Sequence, residues 1–244
     1  MPNFNEGLKR RKVSTMKLIR ITITNLSPGM LQNPATPELL EALRTKTPIQ
    51  KKTDWTVQEE AGTKLYRSEN GRMGVPMQNI MSAIVLAGQH VKSGKKFIST
   101  AKSTTVFDFL EFVEDFCVFS DCDEKGNVPW TPFPVKGTMH QGASETAVCI
   151  VRPRIPHWQL TFTVKFDDKR GVSQDSVEKL VEIAGRKIGL CDWRPAKKGR
   201  FGRFVISKVE SLFISSEEYP IERVEYTKET APAELLVLLE VAVD

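Results

Sequence analysis

The stretch "SQDSVEKLVEIAGRKIGLCDWRPAKKGRFGRFVISKVE", residues 173–210, runs through three patterns in succession. Val177, Leu180, Val181, Ala184 and Ile188 recur at helical spacing. Ser173 stands where a cap belongs, and Asp175 and Glu178 lie near the positive end, so the spacing predicts a helix from Ser173 to about Ile188. At the far end, "RFVISKVE" alternates apolar with polar residues and predicts a strand. Between them lies a loop dense in cations, glycines and aromatics.

The flanking sequence extends this helix–loop–strand unit. Upstream, "ETAVCIVRPRIPHWQLTFTVKF" predicts a strand to Val151, a proline-punctuated turn, and a strand from Trp158 to Phe166 with Leu160, Phe162 and Val164 on one face. Met16–Leu26, "MKLIRITITNL", is the clearest strand, with Ile19, Ile21 and Ile23 lining one face. Pro76 opens a helix, "PMQNIMSAIVLAGQHV", whose apolar residues fall at helical spacing. Strand, helix, loop and strand thus occur clearly in the second half and more faintly in the first. This order predicts an α+β fold of ferredoxin-like (RRM-like) β-α-β units, with an antiparallel sheet backed by helices. Residues 1–15 read as a flexible basic arm and 16–244 as a single domain. Insertions are expected around 38–70, with a short helical signal at Glu38–Arg44, and around 120–145, a proline- and glycine-rich loop region. "TTVFDFLEFVEDFCVF", residues 104–119, fits a helix or a strand equally.

Composition bounds the function classes. Of 244 residues, 40% are hydrophobic and 27% charged, ordinary values for a soluble globular protein. No apolar run is long enough for a membrane span, and the first residues lack the apolar core of a secretory signal. The four cysteines, Cys117, Cys122, Cys149 and Cys191, form no framework and read as reduced thiols of an intracellular, cytoplasmic protein. Cys117 and Cys122 lack the second pair that a zinc site needs, so neither a metal nor a cofactor is expected.

The net charge of +5 is mild, but its distribution is uneven. Gly185–Lys208 holds eight Lys or Arg against one Asp, whereas Glu217–Asp244 holds eight acids against two bases. A basic cluster and an acidic end occupy one chain, either as two solvated faces or as a polyanion site and a surface for a basic neighbour.

In the central loop, Gly199 and Gly202 allow positive φ and close backbone approach. Arg194, Lys197, Lys198, Arg200 and Arg203 supply charge, and arginine can hold a phosphate with two parallel hydrogen bonds. Trp193, Phe201 and Phe204 admit two readings, as platforms for stacked bases or as core residues of the following strand. "GRFGRF" is no dinucleotide or P-loop fingerprint, since it precedes a strand instead of opening a helix.

The succession "VEIAGRKIGL", "KKGRFGRF" and "FVISKVE" resembles the glycine-rich loop of the RAMP superfamily, and "MKLIRITITNLSPGM" resembles the first strand and turn of such proteins. These are ferredoxin-like RNA-binding proteins that include backbone subunits of CRISPR effector complexes. The resemblance implies RNA binding along a basic surface and head-to-tail stacking, as a homo-oligomer or a subunit of a ribonucleoprotein assembly. It implicates Gly185, Gly189, Gly199 and Gly202 in shaping the loop and Lys197, Lys198, Arg200 and Arg203 in holding phosphates. "CDWRP" departs from the pattern, as a divergent phage or mobile-element relative would.

Arg152 and Arg154, spaced by a proline, either reach phosphates or are ordinary hairpin arginines. Lys92, Lys95 and Lys96 pose the same question. Asp108, Glu111, Glu114 and Asp115 in "DFLEFVED" read as a solvated face. The leading expectation is a non-enzymatic protein that binds RNA or single-stranded nucleic acid, with Arg152, Arg154, Trp193, Arg194 and the loop cations as contacts. A module docking an acidic protein partner is one alternative. A metal-independent endoribonuclease using His140 is the other.

Overall fold

Met16–Asn25 (β1) lies inside a four-stranded sheet because its isoleucine face needs cover on one side and strand partners on both edges. Ile19, Ile21 and Ile23 are buried, opposite Val164, Phe162 and Leu160 of an antiparallel neighbour. The structure, a computed structural model, describes residues 16–35, 37–47, 54–141, 144–167 and 172–212. The expectations for the basic arm at 1–15, the acidic end and any head-to-tail contact through them lie outside the described residues.

After β1 come Met30–Leu31 (β2), Pro37–Thr45 (α1), Val57–Gly62 (α2), Gly74–Pro76 (β3) and Met77–Ala87 (α3). Lys92–Ser93 (β4), Lys96–Phe97 (β5), Val106–Phe109 (α4), Leu110–Phe112 (β6) and Phe116–Val118 (β7) follow. The second half contains Thr131–Gln141 (β8), Ser144–Ile155 (β9), Gln159–Asp167 (β10), Gln174–Ile183 (α5) and Phe204–Leu212 (β11). The main sheet has the order β11-β1-β10-β6 and every pairing in it is antiparallel. It follows that β1 is parallel to β6 and β10 to β11. The connection from β1 to β6 includes α3, and the connection from β10 to β11 includes α5.

Both helices contribute to one apolar core. Met77, Ile80, Ala83, Ile84 and Ala87 of α3 join Val177, Leu180 and Val181 of α5 over Phe162, Val164 and Phe166. The helix from Ser173 begins as its sequence predicts, since the Ser173 hydroxyl accepts from the Ser176 amide. Regular α-structure ends at Ile183, and a π-helical turn over Ala184–Ile188 closes at Gly189, where φ is 74°.

A second sheet, ordered β2-β9-β8, corrects the expectation of a loop region over 120–145. Residues 131–141 are the first strand of a long hairpin with β9. Pro132 and Pro134 are tolerated because β8 is the outer strand, where a missing N–H costs no ladder bond. At Gly137 a Cβ would stand 2.2 Å from Ile150 Cδ1, so the glycine makes room for a neighbour instead of marking a turn. β9 likewise continues through the expected turn at Pro153 to Ile155. Its alternation buries Val151, Pro153 and Ile155 and puts Arg152 and Arg154 together on the opposite face.

The expected insertion at 38–70 holds two helices, α1 and α2. Thr56 caps α2 in a reciprocal box with Glu59: its hydroxyl accepts from the Glu59 amide, and its own amide donates to Glu59 Oε2 at 2.9 Å. The ambiguous stretch at 104–119 resolves into the single turn of α4 followed by β6 and β7. No helix among the described residues is long and apolar enough to cross a membrane.

Candidate nucleic-acid interface

The loop between Gly189 and Arg203 is laced down along its backbone. The Leu190 amide donates to Gly202 O at 2.9 Å, the Gly202 amide to Gly29 O at 2.8 Å, and the Leu26 amide to Arg203 O at 2.9 Å. The two patches that carry the family resemblance, the "NLSPGM" turn and the glycine-rich loop, are therefore bonded to one another. The Asp192 amide donates to Leu31 O at 2.9 Å, which ties the loop's start to β2. Within the loop, Gly199 and Phe201 donate to Arg194 O and Trp193 O, each at 3.0 Å.

Three residues with side chains adopt positive φ in this segment: Cys191 (61°), Trp193 (47°) and Lys198 (60°). Sequence reasoning missed all three, because only glycine announces that conformation in advance. Gly202 has φ 71°, while Gly199 is required by proximity: a Cβ there would lie 1.8 Å from Trp193 O. Gly185 sits in the π-helical turn against the Phe204 carbonyl, and Gly189 ends that turn.

On this frame Lys197, Lys198, Arg200 and Arg203 are exposed, and none pairs with an acid among the described residues. Arg194 is half-buried and donates from Nη1 to Cys191 O at 2.7 Å, bracing the loop's own turn. The loop's one acid is turned away from the cations. Asp192 Oδ2 accepts from Arg152 Nε at 2.8 Å, and Oδ1 accepts from the Trp193 amide at 2.9 Å. Arg152 also donates from Nη1 to Val151 O at 3.0 Å, and Arg154 from Nε to Pro28 O at 3.1 Å. Both hairpin arginines stand beside the loop and fasten it to β9, with these donors already engaged.

The aromatics divide. Phe201 and Phe204 are core residues, Phe204 packing edge-on to Trp158 at 6.3 Å. Trp193 is half-buried and meets Phe133 of β8 edge-on at 6.5 Å, and Phe133 meets Phe201 at 5.3 Å. Phe133 was not expected here, since its proline-flanked stretch read as loop. Burial pushes the Cys191 thiol up to about 12, so it stays protonated and donates to Met30 Sδ at 3.6 Å inside the core. His90 follows α3, His140 lies on β8 and His157 lies between β9 and β10, so the histidines are spread over three parts of the fold.

Asp192 links three elements, and its replacement has a stated cost. The Arg152 and Asp192 side chains are 15% and 26% exposed, well below a surface pair. Asp192→Ala strands Arg152 and the Trp193 amide, and stability falls by about 1–2 kcal/mol. In a chain of this size thermal denaturation then moves down by roughly 3–6 °C. A double-mutant cycle with Arg152→Ala shows less than additive loss; full additivity counts against the linkage.

No protein-family model matches the chain, and no curated protein matches its sequence. Among solved structures, the chain is similar to one in the cryo-EM structure of the Type III-B Cmr-beta bound to cognate target RNA. That similarity has a TM-score of 0.39 at 11% identity, and it covers 82% of this chain and 61% of that one.

Proposed function

We propose that this protein binds RNA, or another single-stranded nucleic acid, through the 189–203 loop as a non-enzymatic, ferredoxin-like subunit of a ribonucleoprotein assembly. The observation that carries the reading is the exposure of Lys197, Lys198, Arg200 and Arg203 within seven residues of a backbone-anchored loop, clear of any acidic partner among the described residues. Cations held on a fixed frame lose little conformational entropy when a phosphate chain arrives, so their attraction is not spent on ordering the loop. The strand order β11-β1-β10-β6, with a helix in each crossover, supports the ferredoxin-like reading.

A single strand fits better than a duplex, because the basic element is a loop feeding a strand and not a helix of the kind that enters a major groove. Fluorescence anisotropy with labelled 20-nucleotide probes tests this. Single-stranded RNA binds at least tenfold more tightly than duplex RNA or duplex DNA of the same length, and it is recovered intact with or without EDTA. Equal affinity for duplex removes the single-strand reading. Cleavage abolished by His140→Ala replaces the binding function with a ribonuclease.

A further inference from the structure

The acidic, aromatic stretch Val106–Val118 takes no part in the loop's chemistry, yet it is not a plain solvated face. It carries Asp108, Glu111, Glu114 and Asp115 with no Lys or Arg, and four phenylalanines. An open groove of about 400 Å³ runs between this stretch and α3, floored by Met77, Met81 and Phe112 and flanked by Phe107. Phe107 is 52% exposed and the neighbouring Val113 is 49% exposed, large apolar side chains that a solvated face has no use for.

The rim is negative. Glu111 pairs with Lys165 at 2.9 Å across the sheet, and Glu114 Oε2 is fixed by accepting from the Thr163 amide at 2.8 Å. Asp115 is exposed, and its carboxylate has no partner among the described residues. One lysine therefore offsets only part of the carboxylate charge around an apolar floor. A nucleic acid is repelled by such a rim, and a neutral apolar ligand leaves its carboxylates unanswered. The complementary ligand has large apolar side chains next to cations.

From this complementarity we propose that the groove docks a short basic polypeptide segment of a partner, one presenting adjacent Lys or Arg beside a large apolar anchor. The anchor packs against Phe107, Met77 and Met81, and the cations face Asp115 and Glu111. The site is separate from the loop. β6 and β11 are opposite edges of the four-stranded sheet, three strand spacings or roughly 14 Å apart, so peptide and nucleic acid bind without excluding one another. The proposal does not rest on the nucleic-acid reading.

The test is anisotropy of a labelled synthetic decapeptide alternating Lys/Arg with Phe/Leu. A version with glutamate in place of the cations and a version with serine in place of the apolar residues serve as controls. The basic–apolar peptide binds, and both control peptides bind at least tenfold more weakly. Phe107→Ser and Asp115→Lys, both at exposed positions, each weaken binding at least tenfold while the melting temperature stays at the wild-type value. A protein that ignores the basic–apolar peptide, binds the glutamate version equally well, or binds unchanged in both variants overturns the proposal. Affinity for single-stranded RNA, measured in parallel, is unaffected by either substitution; loss of both activities together identifies the groove as part of one shared surface and also overturns it.

Discussion

Replacing Lys197 and Arg200 together by glutamate lowers the affinity for single-stranded RNA by about a hundredfold, since each charge-assisted phosphate contact is worth roughly tenfold. The fold survives, because both side chains point to solvent and hold no structural hydrogen bond to another part of the chain. Melting temperature therefore stays near the wild-type value while binding collapses, a separation that a structural role for these residues cannot produce. Arg152 sets the contrast. Its Nε holds Asp192, so its removal acts on stability as well as on charge.

The second large effect is on folding. Gly202→Ala costs about 3–5 kcal/mol, combining a left-handed backbone with a contact that cannot relax. Its φ is 71°, and an added Cβ lies 1.9 Å from Leu190 O and 2.8 Å from Leu190 N, both backbone atoms. The same residue donates to Gly29 O and accepts from the Leu190 amide, so any shift breaks the bonds that join loop to turn. Thermal denaturation moves down by roughly 10 °C or more. Gly71 isolates the two causes, for its φ is 74° but an added Cβ there meets nothing within 4 Å. Gly71→Ala costs only about 1–2 kcal/mol, the conformational part alone. Equal losses at the two sites contradict the steric argument.

Much of the frame is legible in the sequence for simple reasons. Ile19, Ile21 and Ile23 alternate because one face of β1 is core, and Ser173 with the stripe at Val177, Leu180 and Val181 reads as a capped amphipathic helix because it is one. The hairpin was hidden because Pro132, Pro134 and Gly137 are loop residues by composition. Only the outer position of β8 and the bulk of Ile150 make them strand residues. Long-range facts of that sort leave no local mark.

The site divides in the same way. Clustered charge at Lys197, Lys198, Arg200 and Arg203 is visible in one dimension, and these side chains do share an exposed loop. The fastening duty of Arg152, Arg154 and Asp192 depends on partners that lie 40 residues away for Arg152 and 126 for Arg154, which no spacing rule contains. Trp193-Arg194-Pro195, the feature that least fits the family resemblance, has a local account. Trp193 turns the backbone at positive φ and packs on Phe133, Arg194 braces Cys191 O, and Pro195 opens a single 3₁₀ turn that presents Lys197.

The central claim is that the exposed cations of this loop hold a phosphate chain, and the salt dependence of binding measures that most directly. Each phosphate contact with a single strand contributes about −0.7 to the slope of log K against log salt concentration. If Lys197, Lys198, Arg200 and Arg203 each make one, the wild-type slope is about −2.8, and the Lys197→Glu/Arg200→Glu protein gives about half of it or less. A slope near zero, or an unchanged slope in the charge-reversed protein, contradicts the account.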